Sequence, residues 1–518
     1  RKNICRFSIL ITGSHTKSIF CKTGLKNIRT MKFVGFFSYI ILQIVLKPSD
    51  LFFAKAETIK SNLQRCLADG EFSPDVDYFP DKFVPHETTD LFSITYHRTY
   101  KIIHNKYQNH NKTYLLYQCG TEPPEEELDG RHQAVLPVPH TGGFGVTETP
   151  QITPLEILGK RSEIKGYWGD PKYVSSPCLD IIIADNTDMV IFDPQNPWGA
   201  SSVTLAMEEK WMNDHPDALI FRGIFNQGNG DRDLTVAETQ EKTTVATFDW
   251  LGFYAAFFNL EKKANQIVSE TEERYSCSAQ NAAYLSSDMP EEEKPSILWA
   301  QYFNGTLNNG GSGWSVAECP LDNSVYYCEY AYHCGANILS RPEGFGFSES
   351  YGGPEVYWYL NDEQFLEFGK DADTWIYPAA KWEMLYDEKK DLFDQFKSVQ
   401  KRQVYDVQGK GGSFAWSEQR FSEYDVVALD FCEVVGLSNP NPPLHVRTWL
   451  RNIFSETVSN PMTCNAGDID EPYVPEGASC NLVPEISARQ TSSSGNLSLL
   501  LVQITSTISA AVACVLLL

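Results

Sequence analysis

The sequence predicts an α/β protein of two lobes joined by a single long helix. Short apolar strands alternate with helical stretches on both sides of residues 243–277, a pattern typical of helices packed on mostly parallel sheets. Within that stretch Trp250, Phe253 and Phe257 recur at helical spacing and no proline interrupts the chain. About 30 helical residues would span about 45 Å. We therefore predict a connecting helix over 246–277.

The N-terminal lobe is predicted over residues 57–245, and it begins with a hairpin. Two runs rich in Tyr, Ile and Leu, LFSITYHRTYKIIHN and KTYLLYQCG, flank turn residues. A short apolar strand, AVLPVP, then leads through the loop HTGGFG to a helix that begins near Pro154. Further strands, IKGYWG, DMVIFDP and DALIFRGIF, alternate with helical stretches. This alternation favours a mostly parallel sheet.

The C-terminal lobe is predicted over residues 278–455. It begins with the strand SILWAQYFN and ends with a helix near SEYDVVALDFCEVVG. A Gly-rich loop at 308–314 is followed by neither Lys-Ser nor Lys-Thr, so a phosphate-binding loop is disfavoured. After this lobe we expect a stalk over 456–495, rich in Pro, Gly and Ser, that depends on its own disulfide.

Both ends of the chain carry apolar segments that suggest export. Residues 31–56 combine a basic start, an apolar run shorter than a membrane span and small residues, which favours a cleaved signal peptide over a membrane helix. Residues 1–30 precede the first Met and are expected to be an untranslated or leader segment. Residues 496–518 carry no charge, which favours a glycosylphosphatidylinositol anchor signal over a plain C-terminal membrane span.

The composition and the glycosylation motifs fit a protein at the outer face of the plasma membrane or at the cell surface. The net charge of −24 opposes nucleic acid as a partner, because phosphate binding needs clustered Lys and Arg. Sequons at Asn111 and Asn304 fit a secretory route as N-glycosylation candidates.

Ten cysteines lie between residues 57 and 495, an even number that fits a fully disulfide-bonded secreted domain. Local disulfides are compatible with the spacing of Cys319, Cys328 and Cys334 and of the late pair Cys464 and Cys480, although connectivity stays open. Zinc is the alternative for Cys328 and Cys334, which have five residues between them and His333 beside them. Their spacing matches no standard zinc finger, and no metal site is predicted. The disulfide candidates are Cys66, Cys119, Cys178, Cys277, Cys319, Cys328, Cys334, Cys432, Cys464 and Cys480.

Two long stretches carry a resemblance to a known family. VPHTGGFGVTETPQITPLEILGKRSEIKGYWG looks like the first strand, ligand-side loop and helix of the class III periplasmic solute-binding proteins, which carry vitamin B12 and ferric siderophores. KTTVATFDWLGFYAAFFNLEKKANQIV resembles their segment leading into the connecting helix. The resemblance covers roughly 92–450 and is closest to eukaryotic algal and oomycete members, which include a diatom ferrichrome-binding protein. The extra cysteines, the opening hairpin and the C-terminal anchor depart from bacterial members.

The resemblance implies a ligand cleft between the lobes, at the carboxyl ends of the strands. Aromatic walls with an arginine donor would suit a bulky, partly apolar chelate, without a cofactor or a metal ligand from the protein. Core packing is the alternative for each tryptophan, and a structural ion pair is the alternative for the arginine. The ligand-binding candidates are Thr147, Glu148, Tyr167, Trp168, Trp198, Arg222, Tyr302, Trp314 and Trp375.

The expected function is capture of an iron-siderophore-like or cobalamin-like solute for uptake. Two lobes would close on the ligand without catalysis, and a transporter or endocytic partner would receive it. The alternatives are an anchored ectoenzyme that cleaves glycans with a carboxylate pair and a wall-associated glycan-binding module. The chain contains neither G-x-S-x-G nor H-E-x-x-H, so no catalytic residue is predicted.

Overall fold

The computed structural model describes ten segments of the chain. The predicted leader, signal peptide and anchor lie outside them, as do Trp198, Asn111 and Asn304. Every helix in the described part is too short or too polar to span a membrane. The segments are 59–109, 112–185, 189–192, 202–226, 228–303, 313–319, 325–339, 341–342, 347–350 and 356–487.

The opening sheet has four strands rather than the predicted hairpin. The first predicted strand turns back on itself because the His97 N–H donates to the Tyr100 carbonyl at 2.8 Å. AVLPVP also joins this sheet, parallel to its neighbour, instead of beginning the lobe sheet. The strands, in spatial order, are β1 (Phe92–Tyr96), β2 (Tyr100–Asn105), β3 (Lys112–Gln118) and β4 (Ala134–Val138).

The N-terminal half is built on the parallel sheet that the sequence predicts, with spatial order β7-β6-β5-β8-β9. Its first strand begins inside the segment predicted as a loop and extends one residue beyond it, where buried Phe144 and Val146 supply apolar side chains. The elements are β5 (Phe144–Val146), α1 (Ile152–Leu158), β6 (Ile164–Tyr167), α2 (Pro177–Asp185), β7 (Val190–Ile191), α3 (Ser202–Asp214), β8 (Leu219–Arg222) and β9 (Asp233–Thr235).

The connection between the halves is two helices, α4 (Thr244–Phe258) and α5 (Glu261–Leu285). The prediction of one unbroken helix was wrong at Asn259, which adopts a left-handed conformation with φ 56°. Its side chain bonds to the Leu63 carbonyl at 2.8 Å and accepts from Lys101 Nζ at 2.9 Å, so contacts remote in sequence stabilise the break. The 25-residue α5 spans about 37 Å and is the long connecting helix.

The C-terminal half contains an eight-stranded mixed sheet, in the order β13-β14-β11-β10-β15-β16-β17 with β12 beside β10. Its α12 packs on α5 and α6. The elements are β10 (Ser296–Phe303), β11 (Gly313–Glu318), α6 (Tyr326–His333), β12 (Asn337–Ile338), β13 (Phe347–Ser350), β14 (Val356–Leu360), α7 (Asp362–Gly369), β15 (Thr374–Tyr377), α8 (Trp382–Glu388), α9 (Lys390–Phe393), α10 (Lys397–Gln400), β16 (Val404–Asp406), α11 (Ser413–Gln419), α12 (Tyr424–Val434) and β17 (Arg451–Asn452). The two halves joined by α4 and α5 confirm the predicted α/β fold class.

All ten candidate cysteines form disulfides, but mostly across long distances in sequence. The late pair Cys464 and Cys480 does not bridge locally, and residues 456–487 are not a stalk, because both cysteines bond to helices of the body. The alternative of a zinc site is also wrong, since Cys328 is bonded to Cys319 and Cys334 is bonded to Cys432. The pairs are Cys66–Cys119, Cys178–Cys464, Cys277–Cys480, Cys319–Cys328 and Cys334–Cys432.

A buried ion pair joins the opening sheet to the start of α5. Lys101 Nζ donates to Glu261, and neither side chain is exposed to solvent. Asn62 Nδ2 donates to the other carboxylate oxygen at 2.7 Å. Burial lowers the pKa of Lys101 while Glu261 raises it. Removing one partner would leave the other charge buried without compensation.

We expect Lys101→Met to reduce the free energy of unfolding by about 3–5 kcal/mol, because Glu261 would lose its cation. Urea denaturation measures the change. Lys210→Met is the matched control, since Lys210 pairs with Asp214 on an exposed helix face and such pairs contribute about 0–1 kcal/mol. An equal loss of unfolding free energy in the two variants would contradict a larger contribution of the buried pair to stability.

Candidate functional site

The carboxyl ends of β5 and β8 bring two of the predicted residues together. Thr147 Oγ1 accepts from the Gly223 N–H at 2.8 Å, and Glu148 Oε1 accepts from the Phe225 N–H at 3.0 Å. A Cβ atom on Gly223 would lie 1.9 Å from the Glu148 carboxyl carbon, so this close approach requires glycine. Tyr167 ends the neighbouring strand β6 and is also buried. Parallel strands therefore place three predicted residues at one sheet edge, as expected.

Buried acids lie along the same side of the N-terminal half. Burial raises the pKa of Glu148 to about 7. Burial, together with the nearby Glu148, raises the pKa of Glu238 to about 8. Tyr254 donates its hydroxyl to Glu238 at 3.4 Å. These carboxyl groups consequently take up protons near neutral pH, where ordinary glutamates are ionised.

A pocket of about 230 Å³ lies between the two halves. The N-terminal half contributes Pro150, which precedes α1, and the segment 239–247, which leads into α4. The C-terminal half contributes the first residues of α6 and the segment 417–421 at the end of α11. The pocket thus lies where the sequence resemblance places a ligand cleft, but different side chains line it.

Arg420 is one of two cationic residues that line this pocket, with Lys242. Its guanidinium carbon lies 4.0 Å from the ring centroid of Tyr326 and 5.4 Å from that of Trp416. It donates to the Trp416 carbonyl at 2.9 Å. No carboxylate of the described residues forms an ion pair with it. Its charge is therefore available to an anionic group that enters the pocket.

The first turn of α4 forms another wall of the pocket. Thr243 caps this helix by accepting from the Ala246 N–H at 3.2 Å. Glu329 of α6 accepts from the Thr244 N–H at 2.7 Å and from its hydroxyl at 2.8 Å, and also from the Tyr275 hydroxyl at 3.0 Å. Burial raises the pKa of Glu329, and these donors oppose the rise. One carboxyl group therefore positions α4 against α5 and α6.

Glu241 lines the pocket beside this turn. It accepts from the Leu91 N–H at 3.0 Å and from the Trp250 indole N–H at 3.2 Å. Burial raises its pKa to about 7 despite these donors. Because its acceptor positions face the protein, Glu241 contributes more to the shape of the pocket than to binding.

Two predicted ligand residues lie instead in a small core of the N-terminal half. Trp168 stacks on Phe192 with 3.8 Å between ring centroids, and its indole N–H donates to Glu208 at 3.0 Å. Arg222 pairs with Glu208 and with Asp233, at 2.5 Å and 2.7 Å. The structure therefore supports the alternatives of core packing for Trp168 and a structural ion pair for Arg222.

The predicted aromatic residues of the C-terminal half form a second core. Trp314 and Trp375 have no exposed surface, and their indole N–H groups donate to Asp362 at 2.8 Å and to the Ala300 carbonyl at 3.0 Å. Tyr302 packs edge-on against Trp314 with 5.2 Å between centroids. None of the three lines the pocket between the halves. Tyr302 and Trp314 face each other where β10 and β11 pair in the antiparallel part of the sheet, and Trp375 is buried in the parallel strand β15.

Sequence reasoning missed Arg420, Tyr326 and Tyr330, all of which line the pocket. The i, i+4 spacing of Trp416 and Arg420 is the one local signal for them, since it favours stacking on a helix face. Their approach to α4 depends on packing between the halves, which periodicity does not encode. In the described residues, no group of three or more His, Cys, Asp or Glu has a metal-binding arrangement.

Comparison with known proteins finds limited similarity. No family model matches the chain. It is 23% identical over 171 residues to an uncharacterized lipoprotein of Methanocaldococcus jannaschii. That match covers 33% of this chain and 35% of the relative, so the chain spans about a third of the relative's length.

Several solved structures show a distant likeness. A periplasmic heme binding protein of Pseudomonas aeruginosa aligns with a TM-score of 0.40 at 12% identity, covering 60% of this chain and 96% of that one. A possible iron-binding, periplasmic solute-binding protein of Staphylococcus epidermidis aligns with a TM-score of 0.38 at 12% identity, covering 56% and 97%. Likeness at this level identifies neither a ligand nor a site.

The raised pKa values predict that stability falls as pH rises. The folded state binds protons on Glu238 more tightly than the unfolded chain, whose glutamates ionise near pH 4.5. The free energy of unfolding should therefore decrease between about pH 4.5 and about pH 8, by up to about 1.4 kcal/mol per pH unit for each such group. Glu238→Gln should reduce this slope in denaturant titrations. The exposed Glu292→Gln is the control, and an unchanged slope in Glu238→Gln would contradict the assignment.

Proposed function

We propose that this chain is a cell-surface solute-binding protein whose pocket between the halves takes an anionic group of a small, partly aromatic ligand. Arg420 carries the proposal, because it is a cation that lies against two aromatic rings, faces a pocket and has no carboxylate partner within the described residues. A planar guanidinium donates in parallel to the two oxygens of a carboxylate.

The overall charge makes this local cation more important. A net charge of −24 repels an anionic ligand at long range, although salt screens such repulsion beyond about 8 Å. Recognition of an anion must then depend on nearby donors. Arg420 and Lys242 supply the positive charge of the pocket, and Thr239, Thr243 and Thr247 supply neutral hydroxyl groups.

The size of the pocket limits the ligand. Pockets that enclose a whole drug-sized ligand measure about 300–1,000 Å³, whereas this one measures about 230 Å³. A ferric siderophore-like or haem-like chelate would therefore insert one acidic arm beside Tyr326 and Tyr330 and leave its bulk at the mouth. This arrangement favours a carboxylate-bearing chelate over a cobalamin-like ligand that lacks an acidic arm.

The lining residues support binding rather than catalysis. None of those described is His, Cys or Asp, and Glu241 is the single carboxylate among them. Glycoside cleavage uses a pair of carboxyl groups about 5–9.5 Å apart, and Glu241 already accepts from three protein N–H groups. The ectoenzyme alternative therefore has no carboxylate pair in this pocket.

The disulfides support an extracellular setting. Five disulfides cross-link the described body, and such bonds persist in oxidising compartments and are rare in the cytosol. Together with the predicted signal peptide and anchor, they favour a protein at the outer face of the plasma membrane. A transporter or endocytic partner would then receive the ligand, as expected for a carrier that performs no chemistry.

Replacing Arg420 should weaken binding. We expect titration of the intact chain with a ferric carboxylate chelate or haem to quench Trp fluorescence saturably, because Trp416 lies beside Arg420. Arg420→Gln should weaken the affinity about tenfold or more, since a charge-assisted hydrogen bond contributes about 1.5–3 kcal/mol. Cobalamin and an uncharged ferric hydroxamate, titrated in parallel, should bind more weakly.

Arg402→Gln is the matched control for this titration. Arg402 also lies over an aromatic ring, at 5.0 Å from the Phe454 centroid, and donates to a backbone carbonyl, but it is exposed and outside the pocket. Its replacement should leave affinity unchanged. Absence of saturable quenching by every ligand, an equal loss in both variants, or turnover of a ligand would contradict the proposed function.

A further inference from the structure

The C-terminal strap, defined here as residues 459–487, passes from one half of the molecule to the other and back. It leaves the C-terminal half at Ser459, whose N–H donates to the Gln408 carbonyl at 3.2 Å. Cys464 then forms a disulfide with Cys178 of α2 in the N-terminal half. The segment predicted as a stalk is thus covalently bonded to the half of the protein that is remote from it in sequence.

Arg161 of the N-terminal half binds the middle of the strap. Its side chain is almost fully buried and pairs with Glu156 of α1. The same guanidinium donates to three nearby strap carbonyls, those of Asp468 at 3.1 Å, Ile469 at 2.8 Å and Glu471 at 3.1 Å. A buried arginine with this many backbone acceptors anchors the strap in one conformation.

Tyr473 bonds to both halves at once. Its N–H donates to the Glu156 carbonyl of α1 at 3.0 Å, and its hydroxyl donates to Glu423 of the C-terminal half. Further along, the Ala478 N–H donates to Asp425 of α12 at 2.9 Å. The strap therefore crosses back to the C-terminal half within a few residues.

The end of the strap is bonded to the connecting helix. Cys480 forms a disulfide with Cys277 of α5. Asn281, one turn later in α5, accepts from the Val483 N–H at 2.9 Å and donates to the Asn481 carbonyl at 2.9 Å. The two halves, which line the pocket, and the connecting helix α5 thus each have their own attachment to the strap.

The strap also reaches the binding group of the pocket. Arg420 and Glu423 are the first and last residues of one 3₁₀ turn. Glu423 has no exposed surface, and besides Tyr473 it accepts from Lys410 at 2.7 Å and from the Trp449 indole at 3.1 Å. Because Glu423 cannot shift without breaking these bonds, the strap helps to set where Arg420 lies.

From these contacts we infer that the strap fixes the separation of the two halves, so that the pocket keeps its shape without ligand. Direct contacts between the halves agree, since the Ser175 N–H donates to Glu418 at 2.7 Å and the rings of Phe248 and Tyr424 lie 5.7 Å apart. The lobe closure expected from the sequence is then replaced by a pocket formed in advance, which lowers the ordering cost of binding.

Hydrogen–deuterium exchange of the intact, ligand-free chain tests this inference. Cys178→Ser with Cys464→Ser should raise exchange in residues 413–423 by about tenfold or more, because the halves would open locally. Cys66→Ser with Cys119→Ser is the matched control, since that disulfide lies within one half. It should leave exchange in 413–423 unchanged. No ligand is needed, so the test is independent of the proposed function.

A second variant keeps every disulfide in case the double variant does not fold. Tyr473→Phe removes only the hydroxyl that bonds to Glu423, and it should raise exchange in 420–423 by about threefold or more. Tyr386→Phe, which removes an exposed hydroxyl bond to Asp394, is its control. Unchanged exchange in Tyr473→Phe, or an equal rise in both disulfide variants, would overturn the inference.

Discussion

The contact between Glu329 and the first turn of α4 is the interaction on which the pocket depends. Glu329 belongs to α6, yet it accepts from Thr244 of α4 and from Tyr275 of α5. Besides the ring contact between Phe248 and Tyr424, this carboxyl group therefore holds α4 against α6 at Thr244, a residue that lines the pocket. Unpaired helix N–H groups favour a negative partner at such a terminus.

The binding proposal and the strap follow from the same geometry. The start of α4, held by Glu329, lines one side of the pocket, while the turn that begins at Arg420 lines the other and is bonded to the strap through Glu423. If both sides of the pocket are fixed, the pocket selects ligands by their charge and shape. Ligand-induced closure of the two halves is then not needed for selection. Under the proposed function, Arg420, without a carboxylate partner among the described residues, would supply the charge that selects the ligand.

Local patterns predicted much of the fold. Alternating strands and helices identified both halves, and the strand-end residues Thr147 and Glu148 do meet at one sheet edge. The break at Asn259 was not predictable because it depends on Leu63 and Lys101, which are distant in sequence. The predicted tryptophans pack in cores rather than in a cleft: Trp314 lies in the antiparallel part of the C-terminal sheet, Trp375 is buried in β15, and Trp168 stacks on Phe192. Disulfide connectivity likewise depends on chain paths that spacing does not encode.

A crystal structure of the intact chain with a bound ferric carboxylate chelate would show whether Arg420 binds the ligand. We expect a ligand carboxylate about 2.7–2.9 Å from the guanidinium nitrogens of Arg420, beside Tyr326, with the contacts between the two halves unchanged. A ligand bound elsewhere, or bound at the strand ends near Thr147 with the pocket at Arg420 empty, would contradict this expectation.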